Sequence, residues 1–533
     1  MRIRNRSLLA DEDGAVLILF AFALPVLLLF VGAALDYSRA FALKTRLQDA
    51  ADAAALVAAK SAPAMNDTEL LAAANKVFKA SAGDSTAYIE KITVSNGRRK
   101  VELKVAATAK NKFMSLAGLS QIPVGAFSAS ATTDSNYEIA LVIDNSGSMA
   151  SSAGGKSKMQ SAQEAANKLI DTMLASQAMA AKTKFSVVPF TLSVNVGPQY
   201  AGASWMDTTG QSPIHWQNLN KAASDWKPAS RFAIFSELGV SWKGCVETRP
   251  GVWAVTDGSP ATATPDSLFV PMFAPDEPGD AADFSYDWGN GTWYYPNSYL
   301  GDNPKKECKE IKSSAGEYVE AQTKLCKYQN QSTLTTSGGR GPNYSCNAKP
   351  LLRLTSDTTA LHASVNAMTA DGNTNLLEGF MWGWRTLSPN APFTDGKPYR
   401  TVDNEKIVIL LTDGMNAWSA APNHNKSVYS SFGYYGAGRL TDAGKPNPAN
   451  DAEARAQMDA KTLTACTNAK NQGITVYTVG FSVSSAPIDA AGLDLLKKCA
   501  SSTQMAYVAN DSSAIITVFE EIAKSIGGLR LTQ

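Results

Sequence analysis

A long uncharged stretch near the N-terminus places the strongest constraint on the fold of this chain. Residues 14–35 run for 22 positions without a charged side chain, which matches the roughly 20 residues that a helix needs to cross about 30 Å of hydrocarbon. Pro25 lies in the middle of the stretch, and a spanning helix tolerates it because neighbouring groups satisfy the carbonyl that it frees. We therefore predict a transmembrane helix at residues 14–35, with residues 1–13 as a cytoplasmic N-terminus.

A cleaved secretory signal is the alternative interpretation of the same stretch. The triplet Val31-Gly32-Ala33 has small residues at the spacing of a cleavage site, but the apolar core of a signal is usually only about 7–15 residues long. The greater length of this stretch favours an uncleaved anchor. Basic residues lie in similar numbers before and after it, so they give no orientation.

The six cysteines all lie far C-terminal of the apolar stretch and form no CxxC pair. An even number without metal or redox spacing predicts disulfides in an oxidising compartment, and the alternative is six reduced core thiols in the cytosol. Cys466 and Cys499 lie in predicted helices on either side of one buried strand. If both crossovers pack on the same face of the sheet, these two cysteines pair. The other four allow three pairings; they are Cys245, Cys308, Cys326 and Cys346.

Charge and histidine content exclude several classes of function. The chain has 49 Lys and Arg against 48 Asp and Glu, so it has no net positive field to hold a nucleic-acid backbone. Only three histidines occur in 533 residues, which leaves little material for zinc sites or acid/base catalysis. The sequence also contains neither G-x-S-x-G nor H-E-x-x-H. We predict a protein that is not an enzyme, and any metal site should consist of oxygen ligands.

Residues 36–135 are predicted to form a small, membrane-proximal α+β domain. Strong helix formers with one apolar face continue from Asp36 to Lys60, so the spanning helix should extend outward as a stalk. A second helix is predicted from about Asp67, followed by three segments with the alternation of β-strands. The first two strands are joined at Asn96-Gly97, the dipeptide typical of a tight hairpin.

The pattern changes after residue 135 to short apolar runs that alternate with helical segments. Runs without period-two alternation, separated by helices, are typical of a parallel sheet covered on both faces. We therefore predict a doubly wound, Rossmann-like α/β domain, so that the fold class of the whole chain is α/β. The predicted strands are residues 138–144, 184–194, 406–413, 474–481 and 506–509.

A long block interrupts the predicted domain between its first part, residues 136–196, and its second part, residues 351–533. The block, residues 197–350, holds 13 of the 24 Pro, seven of the ten Trp and four of the six Cys. A structureless loop of this length is improbable in a compact domain, so we predict an inserted subdomain stapled by disulfides. Its acidic run from Asp276 to Asp287 lacks the spacing of a calcium-binding loop and is interpreted as solvated.

Candidate metal ligands lie where three of the predicted elements meet. Asp144, Ser146 and Ser148 follow the first strand as D-x-S-x-S, Thr374 precedes a helix, and Asp413 ends another strand. Ligands bind in open parallel sheets at the carboxyl ends of the strands. Two carboxylates with neutral hydroxyls and water suit a small hard cation. We predict Mg²⁺, with Mn²⁺ or Ca²⁺ as alternatives, and an open position for an acidic residue of a protein partner.

These motifs resemble the von Willebrand factor A domain and its metal-ion-dependent adhesion site. The resemblance covers residues 137–196 and about 351–526, and it rests on the DNSGS turn, the threonine loop, the LLTDG strand end and the strand and helix order. It implies that five residues form the metal site. They are Asp144, Ser146, Ser148, Thr374 and Asp413.

The N-terminus resembles the Tad (tight adherence, Flp pilus) assembly proteins of the TadE/TadG class, with the TadG-type combination of this N-terminus and an A domain. Residues 14–59 carry the resemblance, together with WKGCVETRPG and FVPMFAPDEPGD in the insertion. It implies a Gram-negative envelope and a role in building or anchoring a pilus. Pilins carry a Glu five residues after the cleavage-site Gly, whereas Leu19 stands at that distance from Gly14. We therefore expect an uncleaved, single-pass inner-membrane anchor with the C-terminal bulk in the periplasm or exposed in the envelope.

Two functions are consistent with these features. The first is a non-enzymatic envelope protein for pilus assembly, anchoring or adhesion, with other assembly subunits as partners and metal-dependent binding of an acidic residue. The alternative is an A-domain adaptor subunit of an ATPase or chelatase-type complex. The membrane span and the cysteines favour the first function.

Overall fold

The computed structural model describes most of the chain. The described residues are 12–62, 65–95, 100–131, 135–222, 224–279, 285–287, 292–300, 317–331, 334, 339–441, 444–527 and 530–531. The chain divides into two compact units, one of Met1–Asp134 with Gly528–Gln533, and one of Ser135–Gly527.

The first unit combines one long helix with a small antiparallel sheet. Its elements are α1 (Glu12–Ser61), α2 (Asp67–Ala82), β1 (Tyr88–Ser95), β2 (Lys100–Lys110), β3 (Gln121–Ala131) and a two-residue strand, Arg530–Leu531. The strands lie in the order β1, β2, β3 and Arg530–Leu531, with every neighbouring pair antiparallel. The predicted Asn96-Gly97 turn lies outside the described residues. The sequence grouped Arg530–Leu531 with the α/β domain, but its pairing with β3 places it in the first unit.

Helix α1 has two different environments along its length. From Phe20 to Leu35 its large apolar side chains are exposed, whereas Leu47 and the alanines that follow are buried against α2 and the sheet. Among the described residues one helix, α1, is long and apolar enough to cross a membrane, with a candidate span over Phe20–Ser61. This finding fits a single-pass anchor and also fits a signal sequence. The stalk predicted after residue 35 is continuous with this helix.

The second unit contains a six-stranded sheet. Its strands are β4 (Asn136–Asp144), β5 (Thr183–Phe190), β8 (Leu352–Thr355), β9 (Asn404–Thr412), β10 (Thr475–Phe481) and β11 (Ala506–Ala509). The order across the sheet is β11, β10, β9, β4, β5 and β8. All pairs are parallel except β5 with β8. The predicted α/β class with a parallel sheet is confirmed.

Helices cover both faces of this sheet. They are α3 (Lys158–Met173), α4 (Gln177–Ala180), α5 (Arg231–Glu237), α6 (Glu317–Thr323), α7 (Thr358–Asn366), α8 (Leu376–Leu387), α9 (Asp451–Asn471), α10 (Ala490–Cys499) and α11 (Ser512–Gly527). Ala140 and Val142 of β4 pack in a core with α8, α9 and α10, while Ile139 and Leu141 pack in another with α3, α7 and α11. Burial on both faces explains why these strands lack alternating polar residues.

The segment at residues 197–350 contributes to the core of the α/β unit. Trp205, Phe269, Phe273 and Tyr299 belong to the same hydrophobic cluster as the sheet residues that face α8. The segment also contains a small antiparallel pair, β6 (Ser285–Asp287) with β7 (Thr292–Tyr294). The segment is therefore packed against the sheet through large aromatic side chains.

Two disulfides lie within the described residues. Cys466 and Cys499 are bonded, which confirms the pairing predicted from the position of their helices beside β10. Cys245 is bonded to Cys346. Cys326 is also disulfide-bonded, and Cys308 lies outside the described residues.

The interpretation of the acidic run as solvated is wrong for Asp276 and Glu277, because both are fully buried. The Asp276 carboxylate accepts hydrogen bonds from the backbone N–H groups of Tyr299 and Leu300, at 2.6 and 2.8 Å. It also pairs with the ammonium of Lys327 at 2.8 Å. A local count of acidic residues could not reveal these partners, which come from distant parts of the segment.

Candidate metal centre

The first part of the site is the turn that follows β4. Asp144 is the last residue of the strand and is fully buried. Its Oδ1 accepts a hydrogen bond of 2.8 Å from the backbone N–H of Ser146, which closes an Asx-type turn. Its Oδ2 accepts a 2.6 Å hydrogen bond from the hydroxyl of Thr412 at the end of β9. The carboxylate is thus fixed between two neighbouring parallel strands.

A chain of hydrogen bonds connects this turn with the second predicted carboxylate. The hydroxyls of Ser146 and Ser148 lie 3.0 Å apart, and the Ser148 hydroxyl donates a 2.7 Å hydrogen bond to Oδ1 of Asp413. Ser148 is exposed, whereas Asp413 is buried. The structure therefore brings four of the five predicted residues together, with the serine side open to solvent.

The position of these residues follows from the strand order. The chain runs from β4 to β5 on one side and returns to β9 on the other side of β4. A crevice forms at such a reversal, beyond the carboxyl ends of the two strands. Asp144 ends β4 and Asp413 directly follows β9, so both carboxylates lie at this crevice.

The fifth predicted residue, Thr374, lies on the loop before α8. This loop is held against the turn by a 2.8 Å hydrogen bond from the backbone N–H of Gly147 to the carbonyl of Gly372. Gly372 has a φ of +75°, a conformation that favours glycine. The hydroxyl of Thr374 has no hydrogen-bond partner among the described residues. Thr374 is thus available as a further oxygen ligand, but no hydrogen bond links its side chain to the other four.

One charged residue of the site was missed in the sequence. Lys158 is fully buried, and its Nζ lies 2.8 Å from Oδ2 of Asp413 and 3.2 Å from the carbonyl of Ala486. It is the first residue of α3, directly after the N-cap Ser157. A cation at a helix N-terminus is unfavourable because it opposes the helix dipole. A lysine at this position therefore indicated that an acidic group lies nearby, and this was the signal available in the sequence.

The charges of the site are unbalanced without a further cation. The carboxylates of Asp144 and Asp413 lie close enough to repel each other, and the ammonium of Lys158 pairs with Asp413. Burial, followed by the charge of Asp413, raises the pKa of Asp144 to about 7 despite the hydrogen bonds from Thr412 and Ser146. A divalent cation would relieve this repulsion, so the donor set fits such an ion.

The type of ligand also limits the metal. Within the described residues, no group of three or more His, Cys, Asp or Glu side chains could hold a metal ion. A site here would depend on two carboxylates, hydroxyls and water. This set is suited to Mg²⁺, which retains several waters and takes one or two carboxylates from the protein.

Comparison of the N-terminal sequence with known families identifies its first segment. Residues 14–61 match the family model described as "Putative Flp pilus-assembly TadE/G-like". The N-terminal segment is therefore a TadE/G-like domain, which confirms the resemblance inferred from its sequence. No curated protein matches the chain significantly.

Solved structures similar to this chain include a pilus adhesin, a pili tip protein and a minor pilin. The pilus adhesin SpaC from Lactobacillus rhamnosus GG is 11% identical, with 84% of this chain and 35% of SpaC covered and a TM-score of 0.32. The vWF domain of the pili tip protein Mfa5 from Porphyromonas gingivalis is 10% identical, with coverages of 74% and 95% and a TM-score of 0.32. The PilB minor pilin from Streptococcus sanguinis is 12% identical, with coverages of 83% and 78% and a TM-score of 0.34.

The chain spans about a third of the length of SpaC. TM-scores of 0.32 to 0.34 do not establish a common overall fold. The geometry of the site, and not the similarity to these structures, is therefore the basis for assigning a function.

Proposed function

We propose that this chain is a non-enzymatic envelope protein of the Tad (Flp) pilus system that binds a partner protein through a metal ion. In this proposal, residues 14–35 anchor it in the inner membrane as a single pass and the C-terminal bulk lies in the periplasm. The α/β unit is a von Willebrand A domain with an insertion at residues 197–350. Its partners are other pilus assembly subunits, one of which presents an exposed Asp or Glu.

The observation that carries this proposal is the hydrogen-bonded chain from Asp144 through Ser146 and Ser148 to Asp413. It lies where the strand order reverses, and it joins two buried carboxylates, of which Asp413 pairs with the ammonium of Lys158. The TadE/G-like segment connects this site with pilus assembly. It also favours the pilus role over an adaptor subunit of an ATPase or chelatase.

Two features support the proposed location. The large apolar side chains of α1 include Phe22, 77% exposed, and Phe30, 69% exposed, and a bilayer would cover them. The disulfides Cys245–Cys346 and Cys466–Cys499 are of the kind that persists in oxidising compartments such as the periplasm. Both features fit an inner-membrane anchor followed by a periplasmic unit.

Asp144, Ser146, Ser148, Thr374 and Asp413 would hold the cation, which supplies an electrophilic position for a carboxylate oxygen of the partner. The chain's own residues prepare this position. The Thr412 hydroxyl orients Asp144, and Lys158 holds Oδ2 of Asp413, which leaves Oδ1 directed at Ser148. Since Ser148 is exposed, the partner would approach from the serine side.

The metal site can be tested by titration calorimetry of the full chain in detergent with MgCl₂. We expect saturable binding by the unaltered protein and none by Asp144→Ala. Circular dichroism should show that this variant keeps its sheet, because the altered residue is the last one of its strand. Unchanged Mg²⁺ affinity in Asp144→Ala would contradict the assignment.

The matched control is Asp371→Ala, which removes an exposed carboxylate from the loop beside the turn and should leave Mg²⁺ binding unchanged. Partner binding can be tested by affinity capture from solubilised envelopes with and without a chelator. We expect a pilus assembly subunit to be captured only with Mg²⁺ and only by the unaltered protein and Asp371→Ala. Capture that is insensitive to the chelator would contradict metal-dependent binding.

A further inference from the structure

An apolar loop of the first unit is exposed beside the apolar part of α1. The loop consists of residues 113–119, FMSLAGL, between β2 and β3, and contains no charged side chain. Leu116 is 83% exposed and Leu119 is 55% exposed. Exposed apolar patches of this kind mark surfaces that bind a protein or a membrane.

The loop is fixed to α1 by polar contacts and by close packing. The buried carboxylate of Asp36 accepts hydrogen bonds from the backbone N–H groups of Lys112, Phe113 and Met114, at 3.1, 2.8 and 2.8 Å. A Cβ atom at Gly32 would lie only 2.5 Å from Cβ of Phe113. The small residue at this position therefore permits the close approach of the loop to the helix.

The loop also has a defined internal structure. The backbone N–H of Leu119 donates to the carbonyl of Met114 at 3.0 Å, and the side-chain amide of Asn111 donates to the carbonyl of Leu119 at 3.0 Å. These bonds close the loop around a short 3-10 turn at Met114–Ala117. The exposed leucines are thus held in place by the backbone.

The loop extends along α1 from the C-terminal end of the apolar stretch, at Leu35, back to the level of Leu28. The helix and the loop together line an apolar hollow of about 540 Å³, and Leu28, Leu29 and Leu116 are among its lining residues. Leu28 lies seven residues before Leu35, which is about 10 Å along the helix axis at 1.5 Å per residue. If α1 crosses the bilayer, a side chain at this level lies in the hydrocarbon of the outer leaflet.

We propose that the loop at residues 113–119 inserts into the same bilayer as α1 and forms a second membrane contact of the first unit. This inference rests on the proposed anchoring by α1. The exposed surface of the loop should be covered by lipid, because it continues the exposed apolar surface of the helix. The hollow that the loop and the helix line is also open and apolar. Lys110 and Lys112 are exposed at the base of the loop, where their long side chains can reach the lipid headgroups.

The test uses the full chain in phosphatidylcholine and phosphatidylglycerol vesicles that contain lipids spin-labelled near the headgroup end of the acyl chain. An environment-sensitive fluorophore is attached to Leu116→Cys, to Leu24→Cys within the apolar stretch, or to Leu71→Cys on α2. The spin label quenches fluorophores that lie in the bilayer. All three positions are at least partly exposed, so the label should not disturb the core.

We expect a shift to shorter emission wavelength and a loss of intensity for the label at position 116, as for position 24, and neither effect at position 71. Quenching at 24 without quenching at 116 would overturn the loop inference while the anchor stands. In that case a short emission wavelength at 116 would indicate cover by protein, such as a second copy of the chain. No quenching at 24 would overturn both the anchor and the loop inference.

Discussion

Two places in the α/β unit each bury a pair of carboxylates with one lysine, and they differ in what else surrounds the acids. At the strand ends, Asp413 pairs with Lys158 and lies near the buried Asp144. In the segment at residues 197–350, Asp276 pairs with Lys327 and is followed directly by the buried Glu277. The number and type of charges are the same, so charge alone does not distinguish a binding site from a structural pair.

The difference lies in the donors. Asp276 and Glu277 accept hydrogen bonds from backbone N–H groups, those of Tyr299 and Leu300 for the aspartate and that of Asn297 for the glutamate. These N–H groups occupy carboxylate oxygens that a metal would need as ligands. The fold fixes the positions of the N–H groups, because they belong to the backbone. At the strand ends one backbone N–H group, that of Ser146, donates to Asp144. The other oxygens of this pair that face the turn accept from the hydroxyls of Thr412 and Ser148, and a hydroxyl can accept as well as donate. A hydroxyl can turn its lone pairs toward a cation, whereas an N–H group cannot.

The largest effect is expected from Lys327→Met. This change leaves the buried carboxylate of Asp276 without its counter-ion, and loss of one partner of a buried pair costs about 3–5 kcal/mol of unfolding free energy. Chemical denaturation should show this loss equally with Mg²⁺ and with a chelator. Recovery of stability on adding Mg²⁺ would show that this pair also binds metal and would remove the distinction between the two places.

Lys158→Met is the matched change at the strand ends. With a chelator present we expect a loss of similar size, about 3–5 kcal/mol, because two buried carboxylates then repel each other without a counter-ion. Saturating Mg²⁺ should restore most of this stability, since the cation replaces the ammonium. A loss that Mg²⁺ does not reduce would place the metal elsewhere.

A smaller effect is expected when Mg²⁺ is removed from the unaltered protein. A ligand that binds only the folded state stabilises it by about 2.7 kcal/mol at a hundred times its dissociation constant. Thermal unfolding should therefore move to a lower temperature on adding a chelator. Asp144→Asn should show no such shift, while Glu277→Gln should show the full shift.

The last effect concerns pH. Burial raises the pKa of Glu277 to about 7, and burial with the charge of Asp413 raises the pKa of Asp144 to about 7. Since the folded chain holds these protons more tightly than the unfolded chain, each group lowers stability as pH rises from about 4 to 7, by at most about 1.4 kcal/mol per pH unit.

This pH dependence can be measured as the difference in unfolding free energy between the unaltered protein and Asp144→Asn or Glu277→Gln, from pH 4 to 8. Mg²⁺ should abolish the contribution of Asp144, because a metal-bound carboxylate is not protonated, and leave that of Glu277 unchanged. The same response to Mg²⁺ for both groups would contradict the comparison.

Much of the α/β unit was predictable because its signals are local. Strands β4, β9 and β10 are continuous apolar runs, and each is followed by turn residues. The D-x-S-x-S turn directly follows one of these runs. Its place at the carboxyl ends of the parallel strands therefore follows from strand geometry. The pairing of Cys466 with Cys499 was predictable for the same reason, since both helices adjoin β10.

The misinterpreted residues depend on contacts between distant parts of the chain. Asp276 is neutralised by Lys327, 51 residues later, and Lys158 pairs with Asp413, 255 residues later. Neither partnership leaves a periodic pattern in the sequence. The burial of Asp276 was missed because charged side chains are almost never fully buried unless they are paired, and the pairing is visible only in the fold.

The short strand Arg530–Leu531 has a mechanical consequence. The chain leaves the first unit after β3 and returns to β3 through this strand, which is paired at Ser130 and Ala131. A pull on the α/β unit is therefore carried along two connections, and the returning one ends in only two paired residues. That pairing would open first under load, after which the connection after β3 carries the full force into the longer pairing of β3 with β2. The connection between the two units would in this way yield in two steps rather than one.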